Sequence, residues 1–491
     1  MTELEQRLKN LDAHIEAEMQ KWHVPGLAVA VIHNGVVIHQ QGYGSRDLDN
    51  HKPVTPNTLF AIGSCTKAFT AMTLALLVED GKLDWDTPIR QYMPQFEMHD
   101  DFASQQITAR DLVCHRSGLP RHDTMWYGSS SSRWELFEGL KYLKPSAPFR
   151  YLFQYQNLMY MVAGCLVETI TGQAWERFTQ ARIFDVLGMR DSVFSVIDAE
   201  KAPDAAMPHE IKEGACKRIP FRNIDAIAPA GAIHSNLPEM ATWLMMHMQG
   251  GKYSGDQFVT EDNLKQMHSP HVTVPSHPLM DFPEIQYAVY GLGWAQQIYR
   301  GHVRIRHTGG IDGFITDVSF LPSKNLGVIV FNNGGDGLSH CVAMHIYDCL
   351  LDLEPIDWRE RIEKVNNNAK AEAEEAKQKL AESRKPNTSP SHPLNAYGGD
   401  YEHPGYGVLR VSLNGDGLQA VYNSHEFKLS HFHYDIFEST HDLGEDTHPM
   451  PFAFRCNLQG DVAEVAIKLE PAVDEIIFLR KQNDSQEGSS S

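Results

Sequence analysis

A chain of 491 residues exceeds one ordinary core, so two domains with connecting material are expected; 42% hydrophobic and 22% charged residues suit a soluble globular protein. The formal charge of −20 speaks against a nucleic-acid or anionic-membrane surface, where Lys and Arg would cluster. Seven scattered cysteines, odd in number and without a Cys-x-x-Cys pair, point to thiols in a reducing cytoplasm rather than to a disulfide framework or a metal site.

The chain opens without the apolar core of a secretory signal, which fits a cytoplasmic location. Leu4, Leu8, Leu11, Ile15, Met19 and Trp22 recur at three- and four-residue steps and predict one amphipathic helix. Gly26 to Ile32 and Val36 to Gln41 flank Asn34-Gly35, a strong hairpin signal. A helix is predicted to open at Ser64 and to run through Ala71, Leu74, Ala75 and Val78 to Gly81. The loop WYGSSSSR (126–133) reads either as an edge of a site or as ordinary surface. The most apolar run, Met159 to Val167, is too short to span a bilayer, so no membrane partner is expected. Val303–Arg306, Thr316–Leu321 and Leu326–Phe331 have strand character. Strands at both ends with helices between predict an α+β fold, an antiparallel sheet packed against a helical block.

From Trp358 the texture changes. Residues 369–383, AKAEAEEAKQKLAES, are good helix formers without an apolar face, and PNTSPSHP (386–393) reads as an extended linker. Beyond it Leu409, Val411 and Leu413 alternate with polar residues, Asn414-Gly415 turns toward Leu418, Ala420 and Tyr422, and Val465, Ile467 and Leu469 repeat the alternation. The expected organisation is a main domain over 1–357, a helical connector and linker over 358–393, a small antiparallel β-barrel-like domain over 394–482, and a disordered tail over 483–491. In His431-Phe432-His433-Tyr434-Asp435 the polar groups are expected outward and Phe432 and Tyr434 inward, with no metal bound.

A serine hydroxyl attacks a carbonyl only when a neighbour takes its proton and donors await the oxyanion. Gly63-Ser64-Cys65-Thr66-Lys67 supplies a nucleophile with an amine one helical turn away, near a helix N-terminus that favours negative charge. Alone, Ser-x-x-Lys is a weak signal. Two later segments strengthen it: Tyr155-Gln156-Asn157, and His307-Thr308-Gly309-Gly310 after the strand Val303–Arg306. Arg116-Ser117-Gly118 precedes Tyr155 and so has the wrong order for the third segment. The chain has no Gly-x-Ser-x-Gly elbow, which disfavours an α/β-hydrolase.

Ser-x-x-Lys, Tyr-x-Asn and Lys/His-Thr-Gly in this order resemble the active-site set of class C β-lactamases, D-alanyl-D-alanine carboxypeptidases and related esterases and peptidases. DGKLDWDTPI (80–89), ITARDLVCHRSGLP (107–120), PAGAIHSN (229–236) and residues 307–333 also look like that family's framework. The resemblance implies a β-lactamase/penicillin-binding-protein fold over about residues 10–350, with Ser64 in its cleft, and a lipocalin-like C-terminal domain. It implies Ser64 as nucleophile and Lys67 and Tyr155 as proton carriers. Asn157 would orient Lys67 and bind substrate. His307, Thr308, Gly309 and Gly310 would line the site, with the backbone N–H groups of Ser64 and Gly310 as the oxyanion hole. No cofactor is implied.

One departure matters. Many relatives that bind carboxylates carry Lys where this chain has His307, and an ordinary histidine is mostly neutral near pH 7. Esters and capped or small amides are therefore expected over free acids. The function expected is hydrolysis of small esters, amides or short peptides, including ones with D-residues, through an acyl-enzyme. A β-lactamase proper and a non-catalytic binding or assembly protein are the alternatives, and a homo-oligomer is left open.

Overall fold

The uninterrupted apolar run Gly26–Ile32 needs cover on both faces, and in the computed structural model of the protein it is buried in a strand, Gly26–His33, inside a nine-stranded antiparallel sheet. The structure describes residues 3–275, 278–335, 337–415, 417–439 and 449–481; the expected tail over 483–491 lies outside them. The strands are β1 (Gly26–His33), β2 (Val36–Asp47), β3 (Lys52–Pro53), β4 (Val272–Thr273), β5 (Ile285–Tyr290), β6 (Ala295–Tyr299), β7 (His302–Ile311), β8 (Phe314–Leu321) and β9 (Leu326–Asn332). Their spatial order is β4-β5-β6-β7-β8-β9-β1-β2-β3. Asn34 and Gly35 both take positive φ (51° and 75°), which a two-residue turn between twisted strands demands.

One face of the sheet is covered by α1 (Leu11–Trp22) and a later helix over Leu338–Leu350. Leu11 and Ile15 join Val342 and Ile346 over Val29 of β1 and Val328 of β9 in one core. The predicted N-terminal helix is in fact two, Glu3–Arg7 and α1: Asn10 leaves helical geometry at φ −106°, ψ 9°, and the Leu11 N–H turns back to the Leu8 carbonyl. The other face carries the helical block. Its central helix, α2 (Thr66–Glu79), is buried at every residue from Thr66 to Leu77, as a helix apolar on all sides must be. It begins two residues later than expected. Gly63–Cys65 form a short 3₁₀ turn, because Gly63 sits at φ +49° and the chain enters the helix only after it. Packed on α2 is α3 (Asn157–Thr171), whose Gly164 admits the short helix Ala228–Gly231: a Cβ there would lie 2.3 Å from Pro229 Cγ.

Two compact units account for the chain, residues 1–96, 102–118 and 147–365 in the first, and 97–101, 119–146 and 366–491 in the second. The second is built on a closed eight-stranded antiparallel barrel running from Gly399–His403 to Ile476–Arg480. Tyr401 and Glu402 of its first strand pair with Arg480 and Leu479 of its last, so the barrel has no open edge. Tyr401, Leu409, Ala420, Tyr422, Phe454 and Phe478 are buried within it. Two expectations fail here. Leu413 is 51% exposed because its strand is running out into the turn at Asn414–Gly415. Tyr434 points outward, because the strand ends at His433 and residue 434 turns with φ 48°.

Residues 119–146 belong to this barrel unit by packing. Glu470 accepts the His122 N–H (2.8 Å), the His122 ring bonds Tyr406 (2.6 Å), and Asn423 donates to the Thr124 and Tyr127 carbonyls. Tyr127, in the loop WYGSSSSR, stacks on His425 with centroids 5.6 Å apart. The helix Trp358–Ser383 buries Trp358 and Ile362 and leaves the rest of its length half-buried or exposed. No disulfide joins the seven cysteines. Among the described residues no helix is long and apolar enough to cross a membrane, and no group of three His, Cys, Asp or Glu is arranged to hold a metal ion.

Candidate active site

Three segments far apart in sequence reach Ser64, and each arrives for a local reason. Phe60–Ala61 pairs with His234–Ser235, and the Ile62 N–H donates to the Ile233 carbonyl (2.9 Å), so the chain enters the Ser64 turn along a fixed path. Gly63 and Gly309 then let two backbones meet. A Cβ on Gly309 would lie 1.9 Å from the Ile62 carbonyl oxygen and 3.1 Å from Ser64 N; one on Gly63 would lie 2.8 Å from Gly310 N. No other residue fits either position, and the β7 backbone lies directly against the serine turn.

Lys67 is fully buried, and its amine finds three acceptors: Ser64 Oγ at 3.1 Å, Asn157 Oδ1 at 2.8 Å and the Ala230 carbonyl at 2.8 Å. The Ala230 carbonyl is delivered by the short helix that Gly164 admits, and Thr70 Oγ1 donates to the neighbouring Pro229 carbonyl (2.6 Å). Asn157 is the first residue of α3, set by Gln156, whose side chain caps the Leu158 N–H (2.7 Å). The amine also lies over the rings of Tyr155 (4.8 Å) and Tyr160 (5.2 Å), faces that attract a cation. Ser64, Lys67, Tyr155 and Asn157 are thus brought together, with Gly309 and Gly310 beside them.

His307 is also here, but tied back. Its Nδ1 lies 2.6 Å from the Thr308 carbonyl, an acceptor, so Nδ1 carries the proton; Nε2 then accepts from the Tyr290 hydroxyl (2.8 Å). Burial above all pulls its pKa from 6.5 down to about 3, so the ring is neutral. Thr308 and Gly310 are exposed, while His307 and Gly309 are buried. Under this part of the sheet Arg304 and Asp317 form a buried ion pair (2.7 Å), with Ser319 sharing Arg304 (2.9 Å). Burial opposes charge on Asp317, yet Arg304 and Arg306 hold its carboxyl well below the ordinary range.

Sequence reasoning missed three contributors: Tyr160, Tyr290 and the Ala230 carbonyl. Ala230 lay inside a framework segment noted for its resemblance, whereas Tyr160 and Tyr290 carried no local signal.

The family model described as Beta-lactamase matches residues 11–343, and a domain of unknown function, DUF3471, matches 383–480. The protein named unguisins hydrolase ungD' of Aspergillus campestris (strain IBT 28561) is 29% identical over 504 residues, covering 96% of this chain and 91% of that protein. Unguisins hydrolase ungD of Aspergillus violaceofuscus (strain CBS 115571) is 28% identical over 511 residues, covering 94% and 88%. Among solved structures, the octameric penicillin-binding protein homologue from Pyrococcus abyssi gives a TM-score of 0.63 at 22% identity, covering 96% of this chain and 99% of that one. A class C beta lactamase from Rhodobacter sphaeroides gives 0.55 at 21% identity, covering 70% and 99%. The first unit therefore has the β-lactamase/transpeptidase fold, followed by a closed eight-stranded barrel. With more than half its length inside the family model, the chain belongs to the Beta-lactamase family.

Proposed function

We propose that the protein is a serine hydrolase that cleaves small esters, amides or short peptides, including ones with D-residues, through an acyl-enzyme on Ser64. The observation that carries this reading is the amine of Lys67, 3.1 Å from Ser64 Oγ with two further acceptors fixed around it. A neutral amine has two hydrogens and one lone pair. Asn157 Oδ1 and the Ala230 carbonyl can only accept, so each takes a hydrogen from the amine and its lone pair is available to the Ser64 hydroxyl. The amine takes the serine proton as Oγ bonds to the acyl carbon, and as ammonium it keeps all three acceptors satisfied. Negative charge on the former carbonyl oxygen falls to the backbone N–H groups of Ser64 and Gly310, beside the positive end of α2. Tyr155, next to the Lys67 amine, protonates the leaving group; water then attacks the ester, and the proton path reverses. The hydrolase names of the two fungal relatives agree with this chemistry.

Intact-mass measurement after exposure to a p-nitrophenyl ester or a β-lactam tests the proposal. The wild type should carry an acyl adduct that Ser64→Ala lacks. Turnover of the β-lactam would favour the β-lactamase variant of this reading. No adduct and no turnover across a broad ester, amide and β-lactam panel would leave a binding protein on the same fold.

A further inference from the structure

The buried His115 grips Tyr155 from both sides in sequence. The Gln154 N–H donates to the His115 carbonyl (2.8 Å), the Gln156 N–H donates to its Nδ1 (3.0 Å), and the imidazole lies against the Tyr155 ring with centroids 4.3 Å apart at 31°. Both amides flanking the tyrosine are therefore held by one residue. His115 adopts φ +63°, a left-handed conformation costly for a residue with a side chain. That backbone turn lets its carbonyl and its ring face the same strand of chain. Because Nδ1 accepts a backbone N–H, it cannot carry a proton, and the ring is held as the neutral Nε2–H form. The next pairings, Arg150 N–H to the Arg116 carbonyl (2.9 Å) and Ala147 N–H to the Gly118 carbonyl (3.3 Å), continue the clasp away from the site. Further aromatic neighbours of the imidazole, Phe153 (5.4 Å), Tyr160 (5.2 Å) and Tyr290 (4.6 Å), fix its plane.

We infer that His115 is a positioning residue that aims the Tyr155 hydroxyl at the leaving group, an assignment that rests on the role proposed for Tyr155. Its loss falls first on the phenol, since the serine turn is fixed by the Ile62–Ile233 contact and Lys67 keeps its place on α2 and the Ala230 carbonyl, although its Asn157 contact follows Gln156. Reactions that need a proton on the leaving group therefore suffer, and those that do not are spared.

The test compares two substrates with one acyl group, an anilide and a p-nitrophenyl ester, whose leaving group departs without protonation. His115→Gly removes ring and acceptor where glycine accepts φ +63° freely, and His115→Asn restores an acceptor in a residue that tolerates it. For His115→Gly, kcat/KM should fall about 10²-fold on the anilide but no more than about threefold on the ester, with His115→Asn recovering much of the loss. Equal losses on both substrates, or none on the anilide, would overturn the inference. Tyr155→Phe separates the layers: a selective anilide loss there but none in His115→Gly sinks only the role of His115, whereas no selective loss in Tyr155→Phe sinks the role of the tyrosine. If His115→Gly does not fold, ¹⁵N NMR of the wild-type imidazole decides. A protonated Nε2 with an accepting Nδ1 supports the clasp, and a protonated Nδ1 overturns it.

Discussion

In the proposed reading, a carboxylate on the substrate needs a cation to meet it, and by resemblance to relatives that carry Lys there, the residue where that cation would stand is His307. Its Nδ1 proton is given to the Thr308 carbonyl and its Nε2 is occupied by the Tyr290 hydroxyl. The drop from 6.5 to about 3 corresponds, at 1.36 kcal/mol per pH unit, to about 5 kcal/mol against charging the ring in place. At pH 7, about one molecule in 10⁴ carries the imidazolium, and at pH 6 about one in 10³. Even a hundredfold rise between pH 8 and pH 6 leaves the charged form negligible. The assay uses one N-acyl dipeptide as the free acid and as its C-terminal amide, with kcat/KM measured at pH 6, 7 and 8. The amide should be preferred, and the ratio should not change over this range. A steady preference for the free acid at all three values would refute the argument that a neutral His307 governs this end of the site.

The contact between the β7 backbone and the serine turn predicts that Gly309→Ala, whose new Cβ would collide with the Ile62 carbonyl, separates the two oxyanion donors. A fall in kcat/KM of about 10²–10³ on a p-nitrophenyl ester is expected, and a rate near wild type would count against that oxyanion hole. Removing one half of the buried Arg304–Asp317 pair should be costly for stability. Asp317→Asn leaves the Arg304 charge without its carboxylate and is expected to lose about 3–5 kcal/mol in urea unfolding at pH 7. The folded carboxyl is depressed, so its contribution is present above the unfolded value of 3.8 and is lost as pH falls below it. The gap between wild type and Asp317→Asn should accordingly narrow below about pH 4, and a gap that widens with acid would refute the assignment.

What local pattern can encode was legible. The hairpin at Asn34-Gly35 follows from two residues that accept positive φ, and the buried strands follow from apolar runs that no half-exposed strand could carry. Alternation announced the barrel strands, although it failed at Leu413 and Tyr434, where a strand gives way to a turn and the period no longer holds. The exact opening of α2 was lost for a similar reason: the positive φ of Gly63 inserts a 3₁₀ turn that helical periodicity does not reveal.

The site divides along the same line. Ser64 and Lys67 are three residues apart, close enough for the chain's own geometry to pair them, and their order with Tyr155, Asn157 and His307 was readable through resemblance. The Ala230 carbonyl on Lys67, the Tyr290 hydroxyl on His307 and the grip of His115 on Tyr155 were not readable. The partners lie 17, 41 and 163 positions apart for Tyr290–His307, His115–Gln156 and Lys67–Ala230, and each pair meets through a backbone atom or an aromatic ring whose partner is chosen by packing. The sequence by itself determined which groups can do chemistry and which local turns form. Only the tertiary structure decided where their lone pairs and protons point, because that depends on neighbours no stretch of chain contains.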